Sequence, residues 1–126
     1  MKKVKNSIPF NFVLENLFTA EPLVKPMFGA FAVYTGGKIV LILRDKNDED
    51  SGVWIASTAE HHESLQKNFP NMRSIKLFGS GKTSWQLLSK EADDFETSVN
   101  QLCEFILKRD IRIGKIPKPR KSKKKI

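Results

Sequence analysis

The chain has 126 residues, 40% of them apolar, and a formal charge of +8. That length supports one compact core and excludes two ordinary domains, and no apolar run approaches the roughly 18 residues a membrane-spanning helix needs. The charge does not by itself mark a nucleic-acid-binding surface on the body: residues 1–107 carry 12 Lys or Arg against 13 Asp or Glu, whereas residues 108–126 carry ten against one.

In chain order, Phe10, Val13, Leu14, Leu17 and Phe18 fall at helical spacing and predict a short amphipathic helix over Pro9 to Phe18, with Pro9 suited to its first turn. Pro22 and Pro26 punctuate what reads as an extended connection, because each removes a backbone donor. From Gly29 to Ser57 the period changes to two. Three strands fit, the first holding Phe31, Val33 and Tyr34 and turning at Gly36-Gly37. The second runs from Lys38 to Arg44, with Ile39, Leu41 and Leu43 expected on one face and Val40 and Ile42 on the other, as in a central strand covered twice. The polar loop Asp45 to Gly52 leads to the third, Val53 to Ala56.

Ser57 with Glu60 three residues later has the pattern of a capping box for a helix ending near Phe69, before Pro70-Asn71. Two strands follow around Ile75-Leu77 and Trp85-Leu87, joined through Gly79-Ser80-Gly81. The last helix, about Lys90 to Arg109, carries Phe95, Val99, Leu102 and Ile106 on one stripe, with Glu91, Asp93 and Asp94 at its start and Lys108 and Arg109 at its end, as the helix dipole favours. The expected fold is therefore α+β, an antiparallel five-stranded sheet with helices packed on it in the order α-β-β-β-α-β-β-α. The body is expected over residues 1–109. Residues 110–126 read as a basic tail with too little apolar material to order itself.

Candidate chemistry is sparse. Gly79-Ser80-Gly81-Lys82-Thr83 ends like a phosphate-binding loop, but Lys76 stands where the first glycine belongs and a strand follows where a helix should open, so a hairpin turn is the reading. In the acidic loop from Asp45, the sixth position is Asp50 and the twelfth is Ala56, against the Gly and Glu a calcium loop requires. His61 and His62 are adjacent and point about 100° apart on a helix, so they cannot clasp one metal. Cys103 lies beside the apolar stripe as a small buried thiol and cannot form an internal disulfide; with no oxidising compartment implied, and no signal-peptide pattern after Met1, the cytoplasm is expected. Phe10, Phe12, Phe18, Phe28 and Phe31 are explained by core packing rather than as a base-stacking platform.

The stretch Val24 to Tyr34, with Lys25 followed by Met27-Phe28-Gly29 and a small-residue strand, resembles the opening signature of the TfoX N-terminal family. Gly36-Gly37, Val53-Trp54-Ile55 and Ser84-Trp85 fall where that family places its first hairpin, third strand and last strand. The resemblance implies a secretion-chaperone-like α+β domain, related in layout to the MmcQ/YjbR proteins, with no catalytic residues to carry over. Lys25 stands where Arg is common and Ala30 where a second Gly is frequent, and a second, helical domain like that of the competence regulators is not expected in these 126 residues.

These observations lead to an expectation of a non-enzymatic accessory or regulatory module without cofactor or metal. Its tail, through Lys115, Lys118, Arg120, Lys121, Lys123, Lys124 and Lys125, is expected to contact DNA or RNA phosphates without reading bases. The alternative is a protein-interaction domain, a homodimer or a module for another protein partner, that presents a sheet face marked by Val40 and Ile42. No membrane partner is expected, and no acid, base and nucleophile set emerges for an enzyme.

Overall fold

Gly36 and Gly37 sit at φ 57° and 82° between the paired residues Thr35 and Lys38. Two consecutive positive φ angles are what a two-residue hairpin turn matching the strand twist demands, and glycine supplies them without a Cβ clash. Around this turn the computed structural model, which describes residues 8–27, 29–76 and 85–116, builds one antiparallel sheet. The order is α1 (Phe12–Asn16), a 3-10 turn (Phe18–Ala20), β1 (Leu23–Met27), β2 (Ala30–Thr35), β3 (Lys38–Arg44), β4 (Gly52–Ala56), a 3-10 turn (Ala59–His61), α2 (His62–Asn68), β5 (Arg73–Ser74), β6 (Trp85–Ser89) and α3 (Phe95–Leu107). The strands lie side by side as β1-β2-β3-β4-β6-β5. No described helix is long and apolar enough to cross a membrane.

The sheet has six strands where five are expected. The addition is β1, the segment read as a proline-punctuated connection. Among the described residues it pairs only with β2, and an edge strand tolerates Pro26 because its donors on the open side have no strand partner to lose. The first helix is also shorter than expected: Phe10 turns at φ 55° and only Phe12–Asn16 is α-helical. The capping box does not form. Ser57 is buried and its hydroxyl reaches the Thr58 carbonyl, so a 3-10 turn precedes α2. The expected hairpin turn at residues 79–81 lies outside the described residues.

Two apolar clusters sandwich the sheet. On the helical side, Leu41, Leu43, Val53, Ile55 and Leu88 meet Val99, Leu102 and Ile106 from α3, with Leu65 and Phe69 from α2 and its end. The stripe expected on the last helix is the one that packs, each fully buried aliphatic contributing about 1.5–3 kcal/mol. The outer cluster holds Ala30, Ala32, Ile39, Ile42, Trp54, Ala56, Ile75 and Leu87.

The expected split of β3 between these faces is corrected by one irregularity. Val33 pairs with Leu41 but Tyr34 pairs with Ile39, so Val40 is an extra residue in β3. A bulge of this kind breaks the alternation: Val40 joins the helical side and Ile39 the outer side.

Past α3 the chain stays packed. Arg109 N–H donates to the Ile106 carbonyl at 2.9 Å and Asp110 N–H to the Phe105 carbonyl at 3.0 Å, a Schellman closure with Arg109 at φ 61°. Ile113 is buried in the helical-side core. Gly114 N–H donates to the Ala56 carbonyl at 2.8 Å, and Lys115 exchanges two backbone hydrogen bonds of 2.9 Å with Ile39. The packed chain therefore runs through Lys115, six residues beyond the boundary expected after Arg109, because Ile113 has a core site and Lys115 has a free stretch of β3 to pair with.

Candidate functional site

The residues with chemistry in the sequence resolve into structural and available groups. The acidic loop is structural. Asp48 accepts from Arg44 and from Ser51, and the Arg44 guanidinium holds its carboxyl below the usual carboxylate range. Asp50 is buried; its carboxylate accepts from the Lys76 N–H at 3.0 Å and from Arg73 at 3.3 Å, and its carbonyl accepts from the Trp54 indole at 2.8 Å. Asp48 thus holds the loop to the end of β3, and Asp50 ties it to the β5 edge. Among the described residues no group of three or more His, Cys, Asp or Glu could hold a metal ion.

His61 lies beside Glu60, at 3.4 Å, on the surface leading into α2. Cys103 is buried on α3, and burial pushes its thiol up to about 11, the inert state of a packed cysteine. Of the early phenylalanines, Phe10 and Phe12 pack edge-on against Phe95 with centroids at 5.2 and 6.4 Å, Phe18 is exposed, and Phe28 lies outside the described residues.

A different set of aromatics, on the outer face, is associated with cations. One rung of paired residues crosses all six strands as Lys25, Ala32, Ile42, Trp54, Leu87 and Arg73. Directly paired residues share a face, so this face is apolar in the middle and cationic at both edges. Three cations lie over rings: Lys25 over Tyr34 at 5.4 Å, Arg44 over Trp54 at 5.9 Å and Lys115 over Trp85 at 6.0 Å. The middle pair is buried. In the outer two, both rings are half-buried and Lys25 is exposed. Tyr34 in β2, Ile39 in β3 and Lys115 in an isolated bridge are successive partners, which puts Tyr34 and Lys115 two strand spacings, roughly 10 Å, apart. The series Lys25, Tyr34, Lys115, Trp85 is thus an alternating line of cations and rings. Neither pairing was legible in the sequence, because Lys115 meets Trp85 only through the pairing with Ile39.

Of the tail residues expected to meet phosphates, the described structure holds Lys115, in this line between Tyr34 and Trp85. Lys118, Arg120, Lys121, Lys123, Lys124 and Lys125 lie outside the described residues. Arg112 is committed elsewhere: it bonds Asp110 at 2.9 and 2.7 Å, Ser64 at 2.7 Å and Asn68 at 3.0 Å, and it lies 5.2 Å from the Phe105 ring. The Arg112 guanidinium lowers the Asp110 pKa.

The sheet-face reading loses its motive. Val40 and Ile42 are 3% and 0% exposed within a single chain, so neither calls for a neighbouring molecule.

A cavity of about 580 Å³ lies on the helical side of the β2–β3 turn, between the 3-10 turn after α1 and the end of α3. Its floor is Val40, Ile106 and Ile113, and its rim includes Glu21, Lys38 and Arg109.

Compared with protein-family models, with curated proteins and with solved structures, the chain finds no match in any of the three.

Proposed function

We propose that this chain is a non-enzymatic binding module that holds single-stranded nucleic acid without sequence preference, through the line of cations and rings on the outer face and the lysine-rich segment that continues from it. The reading is carried by one observation: Lys115 is fixed by two hydrogen bonds to Ile39 with its ammonium over Trp85, so the segment with Lys118, Arg120, Lys121, Lys123, Lys124 and Lys125 begins beside half-buried rings. Single-strand binders combine backbone-tracking cations with aromatic faces on which bases stack, each stacked base contributing about 1–3 kcal/mol. Phosphate neutralisation alone gives the single strand no advantage, since the duplex releases more counterions per contact. The rings supply the preference. In the same reading the domain is TfoX N-terminal-like, with Met27 and Gly29 at the turn that joins β1 to β2.

Fluorescence anisotropy of a labelled oligothymidine and of a duplex of equal length, titrated across salt, tests this. With four to six phosphates neutralised, the slope of log affinity against log salt for the single strand is expected at roughly −3 to −4. Truncation after Ile116 should remove most of the affinity, and Lys25→Glu should weaken what remains. A truncated chain that binds as tightly as the full one would remove the tail from the mechanism. Tighter binding of the duplex than of the single strand would remove the rings.

A further inference from the structure

The cavity beside the β2–β3 turn gathers features that the nucleic-acid reading does not use. Its volume, about 580 Å³, falls in the range of small-molecule sites. Glu21, Lys38 and Arg109 on its rim make no ion pair with any described residue, although the pocket brings both signs of charge together. Asp110, also at the rim, is already neutralised by Arg112.

Backbone strain converges on the same place. Glu21 and Arg109 hold φ angles of 54° and 61°, two of the three left-handed residues other than glycine among those described. Glu21 also precedes Pro22, which favours extended geometry for its predecessor. Glu21 closes the 3-10 turn and Arg109 closes α3, helical ends where left-handed backbone recurs, and a side chain other than glycine costs about 1–2 kcal/mol there. The floor is apolar, and an adjoining hollow formed by Leu14, Phe18 and Pro22 shares Glu21 with the pocket. Phe18 is 76% exposed, the most exposed ring among the described large apolar residues.

We infer that this pocket binds a short zwitterionic peptide with apolar side chains. Its carboxylate lies between Lys38 and Arg109 and its ammonium at Glu21. One side chain covers Val40, Ile106 and Ile113, and the next covers Phe18. A zwitterion is the ligand that leaves none of the three rim charges unmatched, and two apolar surfaces ask for two side chains. The pocket lies on the helical side of the sheet and uses none of Lys25, Tyr34, Trp85 or Lys115, so it is independent of the proposed nucleic-acid surface.

The test is an amide-resolved NMR titration of the full chain with leucyl-leucine, its N-acetyl form, its C-terminal amide and free leucine. Leucyl-leucine is expected to shift the amides of Thr35 to Lys38 and of Ile106 to Asp110 saturably. Each capped form should bind about tenfold more weakly, the size of one charge-assisted contact. Arg109→Gly, which suits the left-handed backbone, and Lys38→Met should each reproduce the loss caused by amidation, and Glu21→Gln the loss caused by acetylation. The inference is overturned if no saturable shift appears at these amides, or if the capped forms bind as tightly as the free dipeptide. Free leucine binding as tightly as the dipeptide would overturn the assignment to a peptide.

Discussion

Arg109 is where local strain and a binding role can be separated by a single substitution. A side chain in the left-handed region costs about 1–2 kcal/mol that glycine avoids, and part of the gain is returned by the greater freedom of glycine in the unfolded chain. Arg109→Gly is therefore expected to raise stability by about 0.5–1 kcal/mol in urea denaturation while weakening ligand binding; a loss of stability would mean that the Arg109 side chain supports the fold. Gly52 shows the opposite constraint, since a Cβ there would run into the Leu88 carbonyl across the pairing with β6. Asp110 supplies a pH test. Its folded pKa is lowered by Arg112, so the ionised carboxylate adds stability above its unfolded value near 4, and that contribution is lost as pH falls through the lowered folded value. The stability gap between the wild type and Arg112→Leu should accordingly narrow below about pH 4. A gap that stayed constant down to pH 2 would show that the ion pair contributes nothing.

The segment after α3 is the element whose weight the sequence concealed. Ile113→Ala should cost about 2–5 kcal/mol, as a buried aliphatic does. Truncation after Arg109 should lower the melting temperature by more, because it also removes the Arg112 bonds and the Ile39 pairing, whereas truncation after Ile116 should leave it nearly unchanged. Equal melting temperatures for both truncations would show that residues 110–116 contribute nothing to the fold. What was legible beforehand had a strong period: the stripe on α3, the alternation in β2 and β4, and the turn at Gly36-Gly37. What was not legible depended on partners far away in sequence. Pro26 marks a break only until its neighbours are known, since an edge strand accepts it. The bulge at Val40 follows from pairing with β2, and uniform alternation in β3 contains no sign of it. Ile113 lies among basic residues and reads as tail until β3 and α3 bring Val40 and Ile106 to it. The candidate sites were hidden for the same reason: Lys115 and Trp85 are 30 residues apart in the chain, and Glu21 and Arg109 belong to different helical ends.

At the scale of the molecule, the near-neutral body and the cationic C-terminal segment separate packing from long-range attraction. The sheet's inner strands are covered on both faces by side chains of the same chain, which leaves its two borders as the places where, among the described residues, the backbone has no neighbouring strand. One border is β5, only two residues long. The other is β1, five residues long, with Lys25 and Pro26 exposed near its middle. A second chain seeking to extend the sheet would meet a missing donor and a charge there, devices that oppose aggregation through strand edges. Replacing both residues, as Lys25→Val with Pro26→Val, should create an adhesive border without disturbing the core. Sedimentation velocity is expected to show oligomers larger than those of the wild type, and infrared spectroscopy cross-strand signatures; a variant that sedimented as the wild type does would show that β1 does not guard the sheet. The proline that obscured the strand in the sequence thus becomes a safeguard against fibril growth.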